Sequence, residues 1–272
     1  MRLQEKLSVY SSNGKAILAA NFYNFETLSG ILEAAKQKNQ PVILQLSESS
    51  IQYLGLDIAA NLGRTALKSF GIEGWLHLDH GSSSAMAHQC LDAGFDSVMI
   101  DASDKSFDEN VKITSEVVKI AERYNANVEA ELGYVAKLGQ HQTTGVYTQP
   151  QDAKRFVEAT GIHALAVAIG SAHGFYKEPP KLQLELLSEI HEATPAALVL
   201  HGSSGIPDDQ LRDAIARGIS KINLATETKN IFMKSLQQIL SDNEEIDLRK
   251  VFPKATASVI KLISEKLEII SQ

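Results

Sequence analysis

One cysteine, Cys90, stands alone in 272 residues. No intramolecular disulfide can therefore form, and no Cys cluster exists to hold a structural zinc. Long apolar runs are missing too. None approaches the roughly 18 residues a membrane helix needs, and the polar start Met-Arg-Leu-Gln-Glu-Lys carries no signal-peptide core. Positive charge is in deficit, with 26 Lys and Arg against 33 Asp and Glu and a formal net charge of −7. That balance argues against nucleic acid or an anionic membrane surface as the main partner. The simplest expectation is a reduced, cytoplasmic compartment. An anionic small molecule stays open as a ligand, because backbone dipoles and one lysine can outweigh a distant net charge.

What is present is an alternation of strand-like and helical segments, repeated eight times. The strand candidates are 15–21, 41–47, 74–80, 97–102, 126–132, 164–170, 196–201 and 221–226. Most are short, nearly continuous apolar runs, as expected for parallel strands buried on both faces. Between them Leu28, Ile31, Leu32 and Ala35 follow a helical spacing, with Lys36 and Lys38 where the C-terminal dipole favours cations. Ile113, Val117, Ile120 and Tyr124 repeat it. Pro207 opens a helix that stops at Gly218. Two more helices, over roughly 229–241 and 250–270, follow the last strand.

No linker, low-complexity stretch or charge block divides the chain, so residues 1–272 read as one domain. Eight unbroken alternations predict a closed (β/α)8 barrel of the TIM type, whose usual length is about 250 residues. An open doubly wound sheet would normally carry a glycine-rich first turn. Here the first strand runs into Asn-Phe-Tyr-Asn-Phe instead.

Each strand ends in polar or ionisable residues: Asn21, Ser47, Asp79 with His80, Asp101, Glu131, His173 just beyond strand six, His201, and Asn223 with Thr226. In a barrel these ends converge on one mouth, where active sites lie. A lone histidine is more often a surface or satisfied core residue than a ligand, and His88, His163 and His191 take that reading. His77 lies inside strand three and shares a face with Asp79, as a packed, hydrogen-bonded core residue. His80, His173 and His201 differ because all three reach the mouth. Three imidazoles with an open position is a catalytic zinc arrangement. The loop Gly202-Ser203-Ser204-Gly205 and the segment Asn223–Thr226 follow strands seven and eight, the usual phosphate site of this fold. Gly-Ser loops are also ordinary turns; the position beside His201 is what singles this one out.

Five motifs carry a resemblance: Leu78-Asp79-His80-Gly81, Val128-Glu129-Ala130-Glu131-Leu132-Gly133, Gly170-Ser171-Ala172-His173-Gly174, Leu200-His201-Gly202-Ser203-Ser204-Gly205 and Lys221-Ile222-Asn223-Leu224-Ala225-Thr226-Glu227. In order and spacing the chain resembles the class II, zinc-dependent ketose-bisphosphate aldolases over roughly residues 5 to 265. The branch it most resembles holds the tagatose-bisphosphate aldolases and type B fructose-bisphosphate aldolases.

The resemblance implies zinc ligands His80, His173 and His201, and Asp79 as the acid that exchanges a proton with the aldehyde oxygen. It implies a phosphate cradle of Gly174, Gly202, Ser203, Ser204, Asn223, Ala225 and Thr226, with Lys177 nearby. Asp101 and Glu131 match positions that hold the metal in an alternative place, and Asn21 and Ser47 match substrate-pocket positions. The implied reaction is reversible aldol cleavage of a ketose 1-phosphate to dihydroxyacetone phosphate and a three-carbon aldehyde, through a metal-stabilised enediolate. A monovalent cation near the phosphate and a homodimeric or homotetrameric assembly are further implications.

One stretch departs from the family. Residues 132–151, LGYVAKLGQHQTTGVYTQPQ, contain no Asp or Glu, where relatives carry acids that exchange the proton on the donor carbon. Either His141 or Tyr134 takes that role, or the distal group of the substrate differs. A less acidic loop suits a second phosphate or a sulfonate, as in a 6-sulfo sugar. The competing reading is a non-catalytic barrel subunit that supports an aldolase partner, and such a subunit would be expected to lose zinc ligands, which this chain keeps.

Overall fold

Eight parallel strands close on themselves in chain order: β1 (Ile17–Asn21), β2 (Val42–Ser47), β3 (Gly74–Gly81), β4 (Ser97–Ile100), β5 (Asn127–Leu132), β6 (Ala164–Val167), β7 (Ala197–Leu200) and β8 (Ile219–Leu224). The last pairs with the first, from Ile17 opposite Lys221 to Ala20 opposite Leu224. The structure, a computed structural model, describes all residues except 134, 138–146, 179, 242 and 272, and gives the backbone alone for 136 and 137.

The predicted (β/α)8 barrel is what forms. Side chains alternate along each strand because the pleat sends successive residues to opposite faces. Leu18, Leu44, Leu76, Val98, Val128, Leu165, Leu198 and Ile222 point outward into the layer shared with the helices. Ile17, Ala19, Ile43, Trp75, Met99, Ala164, Ala166, Ala197 and Val199 point inward. Leu3 and Leu7 of an N-terminal helix, α1 (Leu3–Ser12), complete that inner cluster and close the barrel floor. Full burial stabilises by roughly 1.5–3 kcal/mol per large aliphatic side chain, so both layers are strong. Above the apolar floor the inward positions turn polar: Asn21, Gln45, His77, Asp79, Ser97, Asn127, Glu129, Glu131, Lys221 and Asn223 are all buried.

The helices follow the strands as α2 (Phe25–Lys38), α3 (Glu48–Leu54), α4 (Leu56–Phe70), α5 (Ser84–Asp92), α6 (Phe107–Glu122), α7 (Pro150–Thr160), α8 (Leu184–Ala193), α9 (Asp208–Ala216), α10 (Thr226–Ser241) and α11 (Leu248–Ile270). Two features depart from the sequence expectation. α1 is additional to it, and the link from β2 to β3 holds two helices, split at Gly55, whose φ of 84° interrupts the helical run. Strand edges also move. β8 covers 219–224 rather than 221–226, because Thr226 already opens α10. β6 stops at Val167, short of the expected Gly170. Gly170 has φ 102° and turns the chain so tightly that a Cβ there would lie 2.7 Å from the Lys181 carbonyl oxygen. Beyond it, Ala172–His173 pairs in parallel with Ala136–Lys137, a two-stranded rim on the mouth. No helix among the described residues is long and apolar enough to cross a membrane.

Candidate active site

Asp79 and His80 are adjacent in sequence, so a regular strand would send them to opposite faces. The register between β3 and β4 shifts between Leu78 and Gly81, and His80 takes a left-handed φ of 51°. A bulge of this kind re-aims side chains, and here it accompanies both residues at the mouth. A non-glycine residue in that region costs on the order of 1–3 kcal/mol and persists where surroundings over-determine it. His80 is held by its Nδ1, which donates to Asp101 Oδ2 at 2.7 Å. Asp101 is fixed in turn, its other oxygen accepting from the Ser103 hydroxyl at 2.7 Å and backbone N–H at 3.2 Å.

His201, the first residue after β7, is fully buried and anchored the same way. Its Nε2 donates to Glu129 Oε1 at 2.8 Å. Both histidines thus hold a ring proton on the nitrogen that faces a carboxylate, which leaves the other nitrogen of each turned inward. His80 Nε2 and His201 Nδ1 lie 3.0 Å apart. Two lone pairs at that distance repel unless a cation or shared proton lies between them. His173 sits across the gap, its ring centroid 5.0 Å from His80 and 5.7 Å from His201. Glu131 completes the cluster: one ligand atom from each of these four residues falls within 4.8 Å of the others. Glu131 Oε2 is buried with no hydrogen-bond partner.

The electrostatics agree that a positive charge is wanted. Burial, reinforced by the nearby Asp101, pushes the Glu131 carboxyl up to about 7. Burial works against a charged His80, yet the bond to Asp101 and the neighbouring Asp79 and Glu131 lift it to about 9. Burial holds the His201 imidazole below its usual range, against the pull of Glu129. A bound cation reverses this pattern, because it favours ionised carboxylates and neutral imidazoles. Three nitrogen donors, one carboxylate, outer-sphere carboxylates on two of the histidines and an orphaned buried oxygen fit a zinc-type ion.

Asp79 is 7% exposed. Burial would raise its pKa, but His80 and His201 together with a bond from Asn21 Nδ2 at 2.9 Å hold it below the usual carboxylate range. Asn223 Nδ2 donates to its other oxygen at 3.4 Å. Asn21 is itself braced by Gln45, which donates to its Oδ1 at 2.9 Å. Asp79 is therefore an ionised carboxylate, oriented by two amides, with Oδ1 4.0 Å from His80 Nε2.

Beside this cluster Gly174, Gly202, Ser203, Ser204, Asn223, Ala225 and Thr226 line one cavity together with Asn21, Asp79, His80 and His173. Thr226 opens α10, and a helix N-terminus presents N–H groups and positive dipole to an anion. Gly202 has φ 68°, and a Cβ there would sit 2.3 Å from the Ala172 carbonyl oxygen. The two loops thus touch backbone to backbone. Tyr176 stitches them further: its hydroxyl accepts from Ala172 N–H at 2.6 Å and donates to the Gly202 carbonyl at 2.8 Å.

Most of the sequence-derived residues converge here. Two do not. Ser47 caps α3 through its hydroxyl, and Lys177 is exposed; neither lines this cavity. Asp101 and Glu131 part company, since Glu131 joins the histidines whereas Asp101 stands behind His80. His141 and Tyr134 lie outside the described residues. His77 is the buried core residue expected, bonded to Ser97 at 2.7 Å. His88 bonds to Tyr124 and His163 accepts from the Val128 N–H, both away from the mouth. Sequence reasoning missed the bonds by which Glu129, Lys221 and Tyr176 reach the site. Lys221 had a visible signal: a lysine inside an apolar run, two residues before Asn223 and so on the same face. Tyr176 had none.

A barrel whose mouth gathers three histidines, an ionised aspartate and an anion cradle suits a metal-dependent enzyme that acts on an anionic small molecule. Comparison then names the family. The family model "Fructose-bisphosphate aldolase class-II" matches residues 1–272. The fructose-bisphosphate aldolase of Staphylococcus epidermidis (strain RP62A) is 38% identical over 273 residues, covering 97% of this chain and 95% of that protein. The D-tagatose-1,6-bisphosphate aldolase subunit GatY of Klebsiella oxytoca is 36% identical, covering 93% and 91%. The crystal structure of the YdjI aldolase from Escherichia coli K12 superposes with a TM-score of 0.89 at 30% identity, covering 98% of this chain and 96% of that one. The chain belongs to the class II fructose-bisphosphate aldolase family and is an aldolase, a carbon–carbon lyase.

Proposed function

We propose that the protein carries out zinc-dependent, reversible aldol cleavage of a ketose 1-phosphate, releasing dihydroxyacetone phosphate and a three-carbon aldehyde. The observation that carries this is the inward-facing pair His80 Nε2 and His201 Nδ1, beside an ionised Asp79. A zinc ion held by His80, His173 and His201, with Glu131 adjoining, would supply Lewis-acid polarisation of the substrate's oxygens. Gly202, Ser203, Ser204 and the N-terminus of α10 bind the phosphate and so fix the C3–C4 bond beside Asp79.

In the cleavage direction the carboxylate of Asp79 accepts the proton of the C4 hydroxyl as the C3–C4 bond breaks, and in condensation it returns that proton to the aldehyde oxygen. Asn21 and Asn223 keep its two oxygens aimed. The proton exchanged at the donor carbon has no acid in 132–151 to come from, and His141 is the residue proposed for it. A His141→Ala variant with unchanged turnover would rule that out.

Tagatose 1,6-bisphosphate, fructose 1,6-bisphosphate and a 6-sulfo ketose 1-phosphate are the candidate substrates. They differ at C4 or at the distal group, so one screen of all three, following dihydroxyacetone phosphate release, decides among them. A protein that binds one equivalent of zinc but cleaves none would overturn the catalytic reading in favour of a supporting subunit.

A further inference from the structure

Lys221 lies on β8 inside the barrel, and its side chain is fully buried. Its Nζ donates to Glu129 Oε2 at 2.7 Å and lies 3.3 Å from His77 Nε2. His77 spends its other nitrogen on Ser97 at 2.7 Å, and Ser97 also accepts from Asn127 at 2.9 Å. The second oxygen of Glu129 is the one that accepts from His201. A continuous set of bonds therefore runs from β8 through β5 to His201, braced from β3 and β4.

A buried ion pair is seldom the most stable choice. Replacing such a pair with apolar residues of similar volume is often neutral or stabilising by about 1–4 kcal/mol. The positions around it, Ile17, Met99 and Ala164, show that this interior accepts apolar side chains. Stability is thus a poor reason for an ammonium here. Orientation is a better one. Glu129 must present one oxygen to His201 Nε2 so that Nδ1 keeps its lone pair for the site. A carboxylate buried with only one imidazole partner would turn toward water or admit it, and the imidazole would lose its fixed tautomer and plane. The ammonium holds the opposite oxygen, and His77 with Ser97 and Asn127 holds the ammonium.

We propose that Lys221 is a positioning residue that acts through Glu129 to orient His201 as a metal donor. The proposal rests on the zinc reading of the site. Residues behind a metal-binding histidine commonly change metal affinity by about 10–100-fold when removed.

The test is a double-mutant cycle on metal affinity, using Zn2+ in competition with a chromophoric chelator and the visible absorption of Co2+ as a geometric readout. The apo wild-type protein is the control: if it binds neither ion, the zinc reading fails rather than this one. Lys221→Met and Glu129→Gln should each weaken Zn2+ binding by about 10–100-fold and alter the Co2+ spectrum. The double variant Glu129→Gln/Lys221→Met should bind no more weakly than Glu129→Gln alone, because the two act on one bond. Wild-type affinity and spectrum in Lys221→Met would overturn the proposal, as would fully additive losses. If Lys221→Met fails to fold for want of a charge partner, Lys221→Arg, which keeps the charge but moves the donor away from Glu129 Oε2, is compared directly with wild type. A 10-fold or greater loss supports the proposal; an unchanged dissociation constant and Co2+ spectrum sink it.

Discussion

The imidazoles of His80 and His201 meet nitrogen to nitrogen, Nε2 to Nδ1 at 3.0 Å, while their outer nitrogens bond to Asp101 and Glu129. Each carboxylate fixes one ring proton, so the nitrogens left facing inward are a consequence of Asp101, just after β4, and of Glu129 on β5. With no metal bound, His80, lifted to about 9, fills the gap with a proton on Nε2; a metal replaces that proton and binds the folded chain only. Removing the metal should therefore lower stability as well as abolish activity. With free zinc at 1,000 times its dissociation constant, the linkage amounts to about 4 kcal/mol. Thermal unfolding with and without chelator measures it, and an unchanged midpoint would count against a metal held by these residues.

Asp79→Asn keeps the shape of the side chain and removes its capacity to accept a proton. Cleavage turnover should fall by about 10²–10⁴-fold, the usual share of a general acid or base. Zinc stoichiometry should stay at one, since Asp79 is outside the four-residue cluster. Turnover within a few-fold of wild type would remove Asp79 from the chemistry.

Tyr176→Phe deletes one hydroxyl and leaves the Ala172 N–H and Gly202 carbonyl without that partner. An unpaired buried polar group costs about 1–3 kcal/mol, and here the two loops that it joins carry His173 and the phosphate cradle. The expected signature is a raised KM for the sugar phosphate with a smaller change in kcat. Gly202→Ala is harsher: its Cβ would meet the Ala172 carbonyl at 2.3 Å, at a φ that L-residues avoid. Steady-state kinetics of both variants, with Tyr176→Phe the milder, checks the ordering.

Burial holds the His77 imidazole down to about 3, with the Lys221 ammonium adding to the effect. An unfolded histidine titrates near 6.5. Between those values the unfolded chain binds the proton first, so this contribution is complete above about 6.5 and drains away as pH falls toward 3. From pH 6.5 to 5 it loses about 2 kcal/mol, at about 1.4 kcal/mol per pH unit. Glu131 runs the other way, its raised carboxyl contributing below about 4.5 and losing that contribution as pH rises through 7. The readout is thus a difference: denaturant midpoints of chelated wild type and His77→Gln, at pH 7 and pH 5. The variant should lose less on acidification. Equal pH slopes would refute the assignment.

Much of this architecture is legible in the amino-acid sequence. The strands follow from short apolar runs, because parallel strands covered on both faces need them; only their ends drift, as where β6 stops at Val167 and β8 begins at Ile219. The glycine turns and helix caps are local chemistry. His80, His173 and His201 are recognisable because histidines are scarce inside those runs and each stands where a run stops. α1 is hidden in the sequence because its weakly amphipathic pattern buries only Leu3 and Leu7, and those only because a barrel floor is there to receive them.

Residue order alone thus settles the barrel, its mouth, and the three histidines and aspartate that reach it, since period and punctuation are properties of the chain. Which nitrogen of each histidine faces inward is a different matter. That depends on Asp101, 21 positions from His80, and on Glu129, 72 positions from His201, and on a Lys221 charge whose partners are set by barrel register. Tautomer, lone-pair direction and the buried ion pair arise only when closure brings β3, β4, β5 and β8 within hydrogen-bonding distance. Tertiary structure turns three histidines at a barrel mouth into two carboxylate-locked imidazoles that face each other, with His173 and Glu131 beside them, in a cluster that could hold a metal ion.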